Sequence, residues 1–369
     1  MARAGSPTSS SLLQSADGAR RVVMEKVSRL PQALLDVVDG FVFDCDGVIW
    51  RAGELCDSRI PDVLRKLQTE HKKKIFFVTN NSTKSKEVFF QKLRSLGIEC
   101  AEREHFYTAA YACAEYIKLF EPRLLKKRDP ATGLGGTHAA YMLGMHGLEE
   151  ELRAGGVEVV GGPSDKAFEK RMDDFMERSV KGAMEKGIFA MENIQPPSCE
   201  VLVEEKQENA GTTICTKKPI GAVVCGFDPR LNYFKIQSAQ LCLSEKYGAG
   251  EDCKFIATNP DAVAHITPDQ EWAGNGCCVG AIKGCTGREP IYTGKPSSLL
   301  LDILCKRHCM QRDRLVMVGD RLDTDILFGR SNKMQTVLVL SGVTTEANAE
   351  KADPTMTPNF CISTVGEFL

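Results

Sequence analysis

Two acidic side chains follow an apolar run near the start of the chain. In FVFDCDGVIW, Asp44 and Asp46 come after Phe43 and are separated by one residue. Side chains two apart on a strand share a face, so both carboxylates can point at one site. One can attack phosphorus to form an aspartyl-phosphate, while the other protonates the leaving oxygen and later activates water. A polar turn or a calcium loop is the alternative, although an EF-hand would need a ligand where Val48 stands.

Two further groups could bind phosphate. Thr79, Asn80 and Asn81 follow the apolar run KIFFV. Hydroxyl, amide and backbone N–H groups just before a helix can hold phosphate oxygens, although the same residue types also cap helices in most proteins. Lys295 in TGKPS precedes a helical segment and can neutralise both a phosphate and a nucleophilic carboxylate. A single lysine is usually solvated surface, so this signal is weak by itself.

A last acidic group indicates a metal site. GDRLDTD, which contains Asp320, Asp323 and Asp325, follows the apolar run RLVMV. Acids at the end of a buried strand are costly unless they are paired or bind a metal. Magnesium prefers one or two carboxylates together with waters and substrate phosphate, so Asp44 and Asp320 predict a Mg²⁺ site.

Alternating strands and helices must position these groups. Beyond the strands that carry the motifs, HAAYMLGMHG, VEVVGG, IGAVVCGFDP and MQTVLVLSGV are strand candidates. Helical spacing marks Arg20–Val38, Asp62–Glu70 and the segment VFFQKLRSLG, which Gly97 ends. This alternation predicts an α/β fold with a mostly parallel sheet. Ligands bind outside the carboxyl ends of such strands, where the motifs fall.

Composition restricts the class of protein. A chain of 369 residues is long enough for two domains, and a net charge of -2 argues against nucleic-acid binding. No apolar run approaches the roughly 20 residues that span a membrane. Fifteen cysteines without a Cys-x-x-Cys pair do not indicate a disulfide scaffold, so we expect a reducing compartment, the cytoplasm. Residues 1–20 predict a flexible tail, with organelle targeting as the alternative.

The ordered set of motifs resembles the phosphatases of the haloacid dehalogenase superfamily. The resemblance runs from about Leu34 to Leu369. DCDGVIW, TNNS, GFDP, ATNPD, GREP, GKPS and GDRLDTDILFG are similar to the group of phosphoglycolate, pyridoxal and 4-nitrophenyl phosphatases. The resemblance implies a Rossmann-like core with a parallel sheet.

The resemblance also implies a role for each acid. Asp44 would be the nucleophile, and Asp46 would be the acid/base and give its carbonyl oxygen to magnesium. Asp320 would bind the Mg²⁺ and Asp325 would orient its waters, whereas Asp323 matches a variable position that we expect at the surface. Related ion-pumping ATPases carry Thr in place of Asp46, which slows hydrolysis of the aspartyl-phosphate, so this chain is expected to turn over quickly.

The phosphate of a small phosphomonoester would be held by Thr79, Asn80, Asn81 and Lys295 in the same family. We expect 2-phosphoglycolate as the substrate. Pyridoxal 5'-phosphate and a broad 4-nitrophenylphosphatase activity are the alternatives. A phosphotransferase that works through the same aspartyl-phosphate is a further, less favoured alternative. A non-catalytic binding protein is disfavoured, because none of the expected catalytic residues is missing.

Motif spacing locates a second domain. The stretch between Asp44 and Thr79 accommodates only a helix and its connections, whereas the stretch from Thr79 to Lys295 is far longer than a core sheet needs. This resembles the large α/β cap inserted between the second and third motifs of the group. We expect a core at 21–135 and 270–369, a cap at 136–269, and a homodimer that forms through the cap. Such a cap excludes water and restricts the site to small substrates.

One stretch departs from the pattern of the group. About residues 166–216 are additional, and KAFEKRMDDFMERSVKGAMEKG predicts an amphipathic helix. The following NIQPPSCEVLVEEKQENAGTT predicts a loop. We expect a solvated surface insertion, with a partner-binding or regulatory element as the alternative.

Overall fold

The computed structural model describes residues 24–127, 136–186, 200–206, 213–246, 249–267 and 270–369. The predicted tail at residues 1–20 lies outside them. The chain divides into two compact units. The first extends to Ile75 and resumes from Met310 to Leu369, and the second comprises Phe76–Cys309.

Strands and helices alternate through the described residues. The strands are β1 (Glu25–Lys26), β2 (Gly40–Phe43), β3 (Trp50–Arg51), β4 (Glu54–Leu55), β5 (Lys74–Thr79), β6 (Phe106–Thr108), β7 (Ala139–Leu143), β8 (Val159–Val160), β9 (Glu200–Lys206), β10 (Thr213–Cys225), β11 (Lys254–Ala257), β12 (Val263–Thr267), β13 (Gln270–Ala273), β14 (Ile291–Tyr292), β15 (Leu315–Gly319), β16 (Gln335–Val339) and β17 (Phe360–Ile362). The α-helices are α1 (Gln32–Val37), α2 (Ile60–Thr69), α3 (Lys86–Ser95), α4 (Ala109–Phe120), α5 (His146–Ala154), α6 (Lys166–Lys186), α7 (Tyr233–Leu243), α8 (Asn275–Thr286), α9 (Leu299–His308), α10 (Leu327–Ser331) and α11 (Glu346–Glu350).

The first unit is built on parallel strands in the order β1-β17-β16-β15-β2. Both β2 and β15 are buried along their whole length, as expected for parallel strands covered on both faces. Phe43 on β2 is the register partner of Val318 on β15. The carboxyl ends of these two strands therefore lie side by side, and the first and last acidic motifs follow them directly.

The second unit contains a separate sheet whose parallel strands lie in the order β14-β11-β10-β7-β8. Strand β9 pairs antiparallel with β10. Helices α4 and α5 cover one face through residues such as Ile117 and Leu148. Helices α6, α7 and α8 cover the other face through residues such as Phe168, Phe234 and Val279. The second unit also contains β6 and the part of β5 from Phe76 onward, which pairs with β6 in parallel.

The predicted α/β class is confirmed. Strands were found in each apolar run that carries a motif, and helices α2 and α3 match the predicted helical segments. A second sheet lies in the long stretch between Asn81 and Lys295, where the cap was expected. The boundaries 21–135, 136–269 and 270–369 stay a prediction. None of the described helices is both long enough and apolar enough to span a membrane.

The predicted helix at Arg20–Val38 is wrong over its described first part. Glu25 and Lys26 form the edge strand β1, which pairs with Phe360 and Cys361 of β17. The helix α1 begins only after Pro31. Pairing with a sheet edge overrides the local spacing of apolar residues here, and Pro31 disfavours helical backbone in the residue before it.

The predicted insertion is only partly as expected. Its first part forms the helix α6, as predicted, but Glu200–Lys206 of the predicted loop forms β9. The expectation of a solvated surface segment is wrong for the start of α6, because Phe168, Met172 and Phe175 are buried in the core of the second unit. Residues 193–199 and 207–212 of the predicted loop lie outside the described residues.

Candidate functional site

Asp44 sits where β2 ends, with its side chain buried. Its backbone N–H donates to the carbonyl of Val318 at 2.8 Å, which continues the pairing with β15 by one residue. The chain then turns, since the N–H groups of Ile49 and Trp50 both donate to the carbonyl of Cys45. The backbone of Asp44 is thus fixed by the sheet on one side and by this turn on the other.

Asp44, Asp320 and Asp325 converge, and one carboxylate oxygen of each lies within 4.8 Å of the others. Within the described part of the chain these are the only three or more His, Cys, Asp or Glu side chains that come together in this way. All three are buried. Buried carboxylates so close to one another are costly unless a cation lies among them. An oxygen-only donor set suits a hard divalent cation, so these residues fit the predicted metal.

Backbone N–H groups orient the two later acids of this cluster. Asp325 accepts hydrogen bonds on Oδ2 from the N–H groups of Asp320 and Arg321, at 3.2 and 3.1 Å. Asp320 accepts one on Oδ2 from the N–H of Val343 at 2.8 Å. Asp323, between them in sequence, is exposed as predicted and pairs with Arg321.

Glycines make room for Asp320. A Cβ atom on Gly342 would stand 1.9 Å from its Oδ2, and one on Gly47 would stand 2.4 Å from the same oxygen. Gly47 also has a φ of 84°, in the left-handed region that side chains other than glycine rarely adopt. Gly47 belongs to the DxDG motif, so the last residue of that motif is required by the position of Asp320.

Asp46 does not join the three converging carboxylates. Because β2 ends at Phe43, both acids lie beyond the strand, and the prediction that they share a strand face is wrong. Asp46 is exposed, and its Oδ1 accepts a hydrogen bond from Trp50 Nε1 at 2.8 Å. The buried Trp50 ring therefore holds the carboxylate of Asp46 in one orientation while leaving it open to solvent.

The predicted phosphate residues are in the second unit, where Thr79 ends β5. Its Oγ1 accepts a hydrogen bond from the N–H of Asn81 at 3.1 Å. The side chain of Asn81 turns the other way, and its Oδ1 accepts bonds from the N–H and the hydroxyl of Thr83. These bonds shape the turn that follows the strand, before α3 begins at Lys86.

The side chain of Asn80 is joined to the backbone of Lys295. Asn80 Oδ1 accepts from the Lys295 N–H at 2.8 Å, and Nδ2 donates to the Lys295 carbonyl and to Asp261 Oδ1, both at 3.0 Å. Both amide hydrogens are therefore in use. The ammonium of Lys295, which is buried, donates to the carbonyl of Val78 at 3.2 Å. Asn80 thus positions the lysine through its side chain, and only its backbone remains for binding phosphate.

A buried polar network behind Asn80 was not predicted. Asn259 Nδ2 donates to the Asn80 carbonyl at 2.7 Å. Asn275 Nδ2 donates to the Asn259 carbonyl at 2.8 Å and to Thr258 Oγ1 at 3.2 Å. Asn259 lies in the sequence ATNPD, which contributed to the resemblance but for which no role was predicted. A polar triplet directly after the apolar strand β11 is the signal that could have identified it.

Comparison with known proteins identifies the family. A model described as haloacid dehalogenase-like hydrolase matches residues 41–158, and a HAD-hydrolase-like model matches residues 292–368. The chain is also 38% identical over 336 residues to phosphoglycolate phosphatase 1A, chloroplastic, of Arabidopsis thaliana, which covers 91% of this chain and 78% of that protein. The chain belongs to the haloacid dehalogenase-like hydrolases. The expected family is confirmed, and the two matched regions contain Asp44, Thr79, Lys295 and Asp320.

Further relatives of this haloacid dehalogenase-like hydrolase are also phosphatases. Glycerol-3-phosphate phosphatase of Homo sapiens is 32% identical over 350 residues, which cover 92% of each chain. Among solved structures, the p-nitrophenyl phosphatase from Archaeoglobus fulgidus matches with a TM-score of 0.63 at 25% identity, covering 89% of this chain and 97% of that one. The chain is therefore a phosphatase of this family that acts on small phosphates, and the predicted enzyme class is confirmed.

Proposed function

We propose that this phosphatase hydrolyses a small phosphomonoester, 2-phosphoglycolate, with Mg²⁺ and through an aspartyl-phosphate on Asp44. The observation that carries the proposal is the convergence of three buried carboxylates, Asp44, Asp320 and Asp325, at the end of two parallel strands. A relative that is 38% identical to the chain over 336 residues is named for phosphoglycolate.

The reaction proceeds in two displacements. A carboxylate oxygen of Asp44 attacks phosphorus, the bond to the ester oxygen breaks, and the leaving oxygen takes a proton from Asp46. Asp46 then removes a proton from water, whose oxygen attacks phosphorus, releases inorganic phosphate and frees Asp44. The bond from Trp50 keeps Asp46 in one orientation through both proton transfers. When bound, Mg²⁺ neutralises negative charge on the carboxylates and the phosphate.

The remaining predicted residues hold the phosphate. In this proposal the Thr79 hydroxyl and the backbone N–H of Asn80 donate to its oxygens, and Lys295 supplies a positive charge. The N–H of Asn81 holds the Thr79 oxygen in place for this role. Asp320 is a magnesium ligand, and Asp325 acts through the N–H groups that it fixes. The bonds from the Asn80 side chain to the Lys295 backbone support a positioning role for Asn80.

A substrate panel tests the proposal. The kcat/KM values for 2-phosphoglycolate, glycerol 3-phosphate, pyridoxal 5'-phosphate and 4-nitrophenyl phosphate are compared with Mg²⁺ and with excess chelator. The proposal expects the highest value for 2-phosphoglycolate and loss of turnover in chelator. A higher value for any other ester would refute the substrate, and turnover unaffected by chelator would refute the metal.

We further propose that the chain works as a homodimer in the cytoplasm, without nucleic-acid or membrane partners. The resemblance to large-cap phosphatases supports pairing through that unit, and the net charge of -2 disfavours binding to nucleic acid. Light scattering at micromolar concentration tests the dimer, and a monomeric mass would refute it. Imaging of a fluorescent fusion tests the compartment, since organelle targeting is the alternative for the tail at residues 1–20.

A further inference from the structure

The hydroxyl of Thr79 is a buried donor. Thr79 ends β5 and is 2% exposed. A threonine hydroxyl has one hydrogen to donate and two lone pairs that accept. One lone pair of Oγ1 takes the N–H of Asn81 at 3.1 Å, but within the described part of the chain no acceptor for the hydroxyl hydrogen is found. A buried donor is costly unless its hydrogen bond is made, so Thr79 points to a bound acceptor such as a phosphate oxygen.

The N–H group that holds Thr79 Oγ1 belongs to the peptide between Asn80 and Asn81. The carbonyl of Asn80 is part of the same rigid plane, because a peptide bond does not rotate freely. That carbonyl accepts a hydrogen bond from Asn259 Nδ2 at 2.7 Å. The plane is therefore held at both edges, by Asn259 on one side and by Thr79 Oγ1 on the other, and a rotation that broke one bond would strain the second.

The side chain of Asn259 is itself fixed in one orientation. It is buried, and its Oδ1 accepts a hydrogen bond from the N–H of Asp261 at 3.1 Å. The amide oxygen must face this N–H and the amide nitrogen must face the Asn80 carbonyl, so the amide cannot be turned over without losing both bonds. Asn275 Nδ2 fixes the backbone as well, by donating to the Asn259 carbonyl at 2.8 Å.

We propose that Asn259 is a positioning residue for phosphate binding, which acts through the peptide between Asn80 and Asn81 to direct the Thr79 hydroxyl at a phosphate oxygen. The N–H of Asn81 occupies one lone pair of Oγ1, so the hydroxyl hydrogen points away from that peptide and is free for the ligand. The inference rests on the proposed function in one respect, because it takes Thr79 as a donor to the phosphate. It gives the sequence ATNPD a part in the reaction.

A purely structural role for Asn259 would have a different consequence. An asparagine that only satisfies a buried carbonyl contributes to the free energy of unfolding and leaves phosphate affinity unchanged. A positioning residue changes phosphate affinity, and it does so only while Thr79 has a hydroxyl to be positioned. The two roles can therefore be separated by combining changes at Asn259 and Thr79.

A double-mutant cycle between these two residues tests the inference. The measured quantity is the inhibition constant of inorganic phosphate against 4-nitrophenyl phosphate at saturating Mg²⁺, so the result does not depend on which ester is the natural substrate. Thr79→Val removes the hydroxyl and should raise the inhibition constant about tenfold, as expected when a charge-assisted hydrogen bond is lost.

Asn259→Ser removes the bond to the Asn80 carbonyl. The shorter serine side chain can still accept from the N–H of Asp261, but it cannot reach Asn80. This variant should raise the inhibition constant about fivefold. In the double variant the constant should equal that of Thr79→Val within about twofold, because no hydroxyl is left to position.

Asn332→Ser is the matched control. Asn332 is also buried, and its Nδ2 donates to the Phe328 carbonyl at 2.8 Å, so the substitution removes a bond of the same kind. Both serine variants should unfold at a lower temperature, but only Asn259→Ser should bind phosphate more weakly. Thermal unfolding shows whether each variant is folded in the assay. If Asn259→Ser is not, Asn259→Asp takes its place in the cycle, because it keeps the shape of asparagine and cannot donate to Asn80.

The outcomes separate this inference from the proposed function. An unchanged inhibition constant in Thr79→Val would refute the phosphate role of Thr79, and the inference with it. A tenfold rise in Thr79→Val with no change in Asn259→Ser would overturn the inference alone. Effects that multiply in the double variant would overturn it too, because Asn259 would then act independently of the hydroxyl. An equal rise in Asn332→Ser would also overturn it, since phosphate binding would then follow stability.

Discussion

Gly342→Ala should weaken metal binding and leave Asp44, the proposed nucleophile, unchanged. The new methyl group would stand 1.9 Å from Asp320 Oδ2 and 2.4 Å from its Cγ, so the two cannot keep their present positions. Either the carboxylate rotates or the backbone after Ser341 moves. Both changes break the hydrogen bond from the Val343 N–H to Asp320 Oδ2, which is 2.8 Å long and fixes that oxygen.

The size of the effect follows from that bond. A hydrogen bond to a charged group contributes about 1.5–3 kcal/mol. If that free energy is lost from the arrangement that binds the cation, the Mg²⁺ concentration for half-maximal activity should rise roughly ten- to hundredfold. The kcat at saturating Mg²⁺ should recover most of its original value, because the residues that attack and protonate are unchanged.

The assay is a Mg²⁺ titration of kcat/KM, with thermal unfolding in the presence and absence of Mg²⁺. Gly366→Ala is the matched control, since its Cβ atom would stand 2.3 Å from the Cγ of Asp57, an acid outside the cluster. Both variants should unfold at a lower temperature than the original protein, but only Gly342→Ala should need more Mg²⁺. An unchanged Mg²⁺ requirement in Gly342→Ala, or an equal rise in both variants, would refute the reasoning.

The remaining predictions concern the nucleophile, the buried network, a buried amine and the inserted helix. Asp44→Asn should abolish turnover in a steady-state assay and keep the far-UV spectrum, because an amide is a poor nucleophile; kcat within about tenfold of the original would contradict the covalent step. Asn275→Ala should lower the free energy of unfolding in urea by about 1–3 kcal/mol, because a buried carbonyl loses its donor. Burial, followed by the charge of Arg307, lowers the pKa of Lys86 to about 8 from 10.5. Stability in urea should therefore rise with pH between these values, where only the unfolded chain keeps the proton, and Lys86→Met should remove that rise. Deletion of residues 166–216 should lower the melting temperature markedly, because three buried apolar side chains of α6 leave the core.

The elements that were predicted best from the sequence are those whose pattern of apolar and polar residues is local. The runs before Asp44, Thr79 and Asp320 are strands because each is a short apolar stretch that ends in polar residues, and no distant contact is needed to recognise that pattern. The clustering of Asp44 with Asp320 followed from the rule that parallel strands place their carboxyl ends at one edge. The fold class and the convergence of these acids were therefore accessible from sequence.

Features that depend on distant partners were missed. Strand β1 forms because it pairs with β17. Strand β9 is rich in acidic residues, which do not predict a strand, and it forms by pairing with β10. The spacing of Phe168, Met172 and Phe175 marked α6 as amphipathic but could not tell which surface its apolar side would meet. The bonds of Asn80 join residues far apart in the chain, so its positioning role could not be predicted from the string TNN.

The hydrogen bond between Asn259 and the Asn80 carbonyl has a consequence for how this chain could change over evolutionary time. Asn80 precedes the strands of the second sheet up to β11, and Asn259 follows β11. The two ends of the long segment between Asn80 and Asn259 are thus joined by a hydrogen bond between groups that lie outside the segment. The segment between them could lengthen or be exchanged for another module, provided that the replacement begins and ends at the same separation. A chimaera that carries a relative's whole segment between these two asparagines should fold. A chimaera whose junctions lie within that segment should not.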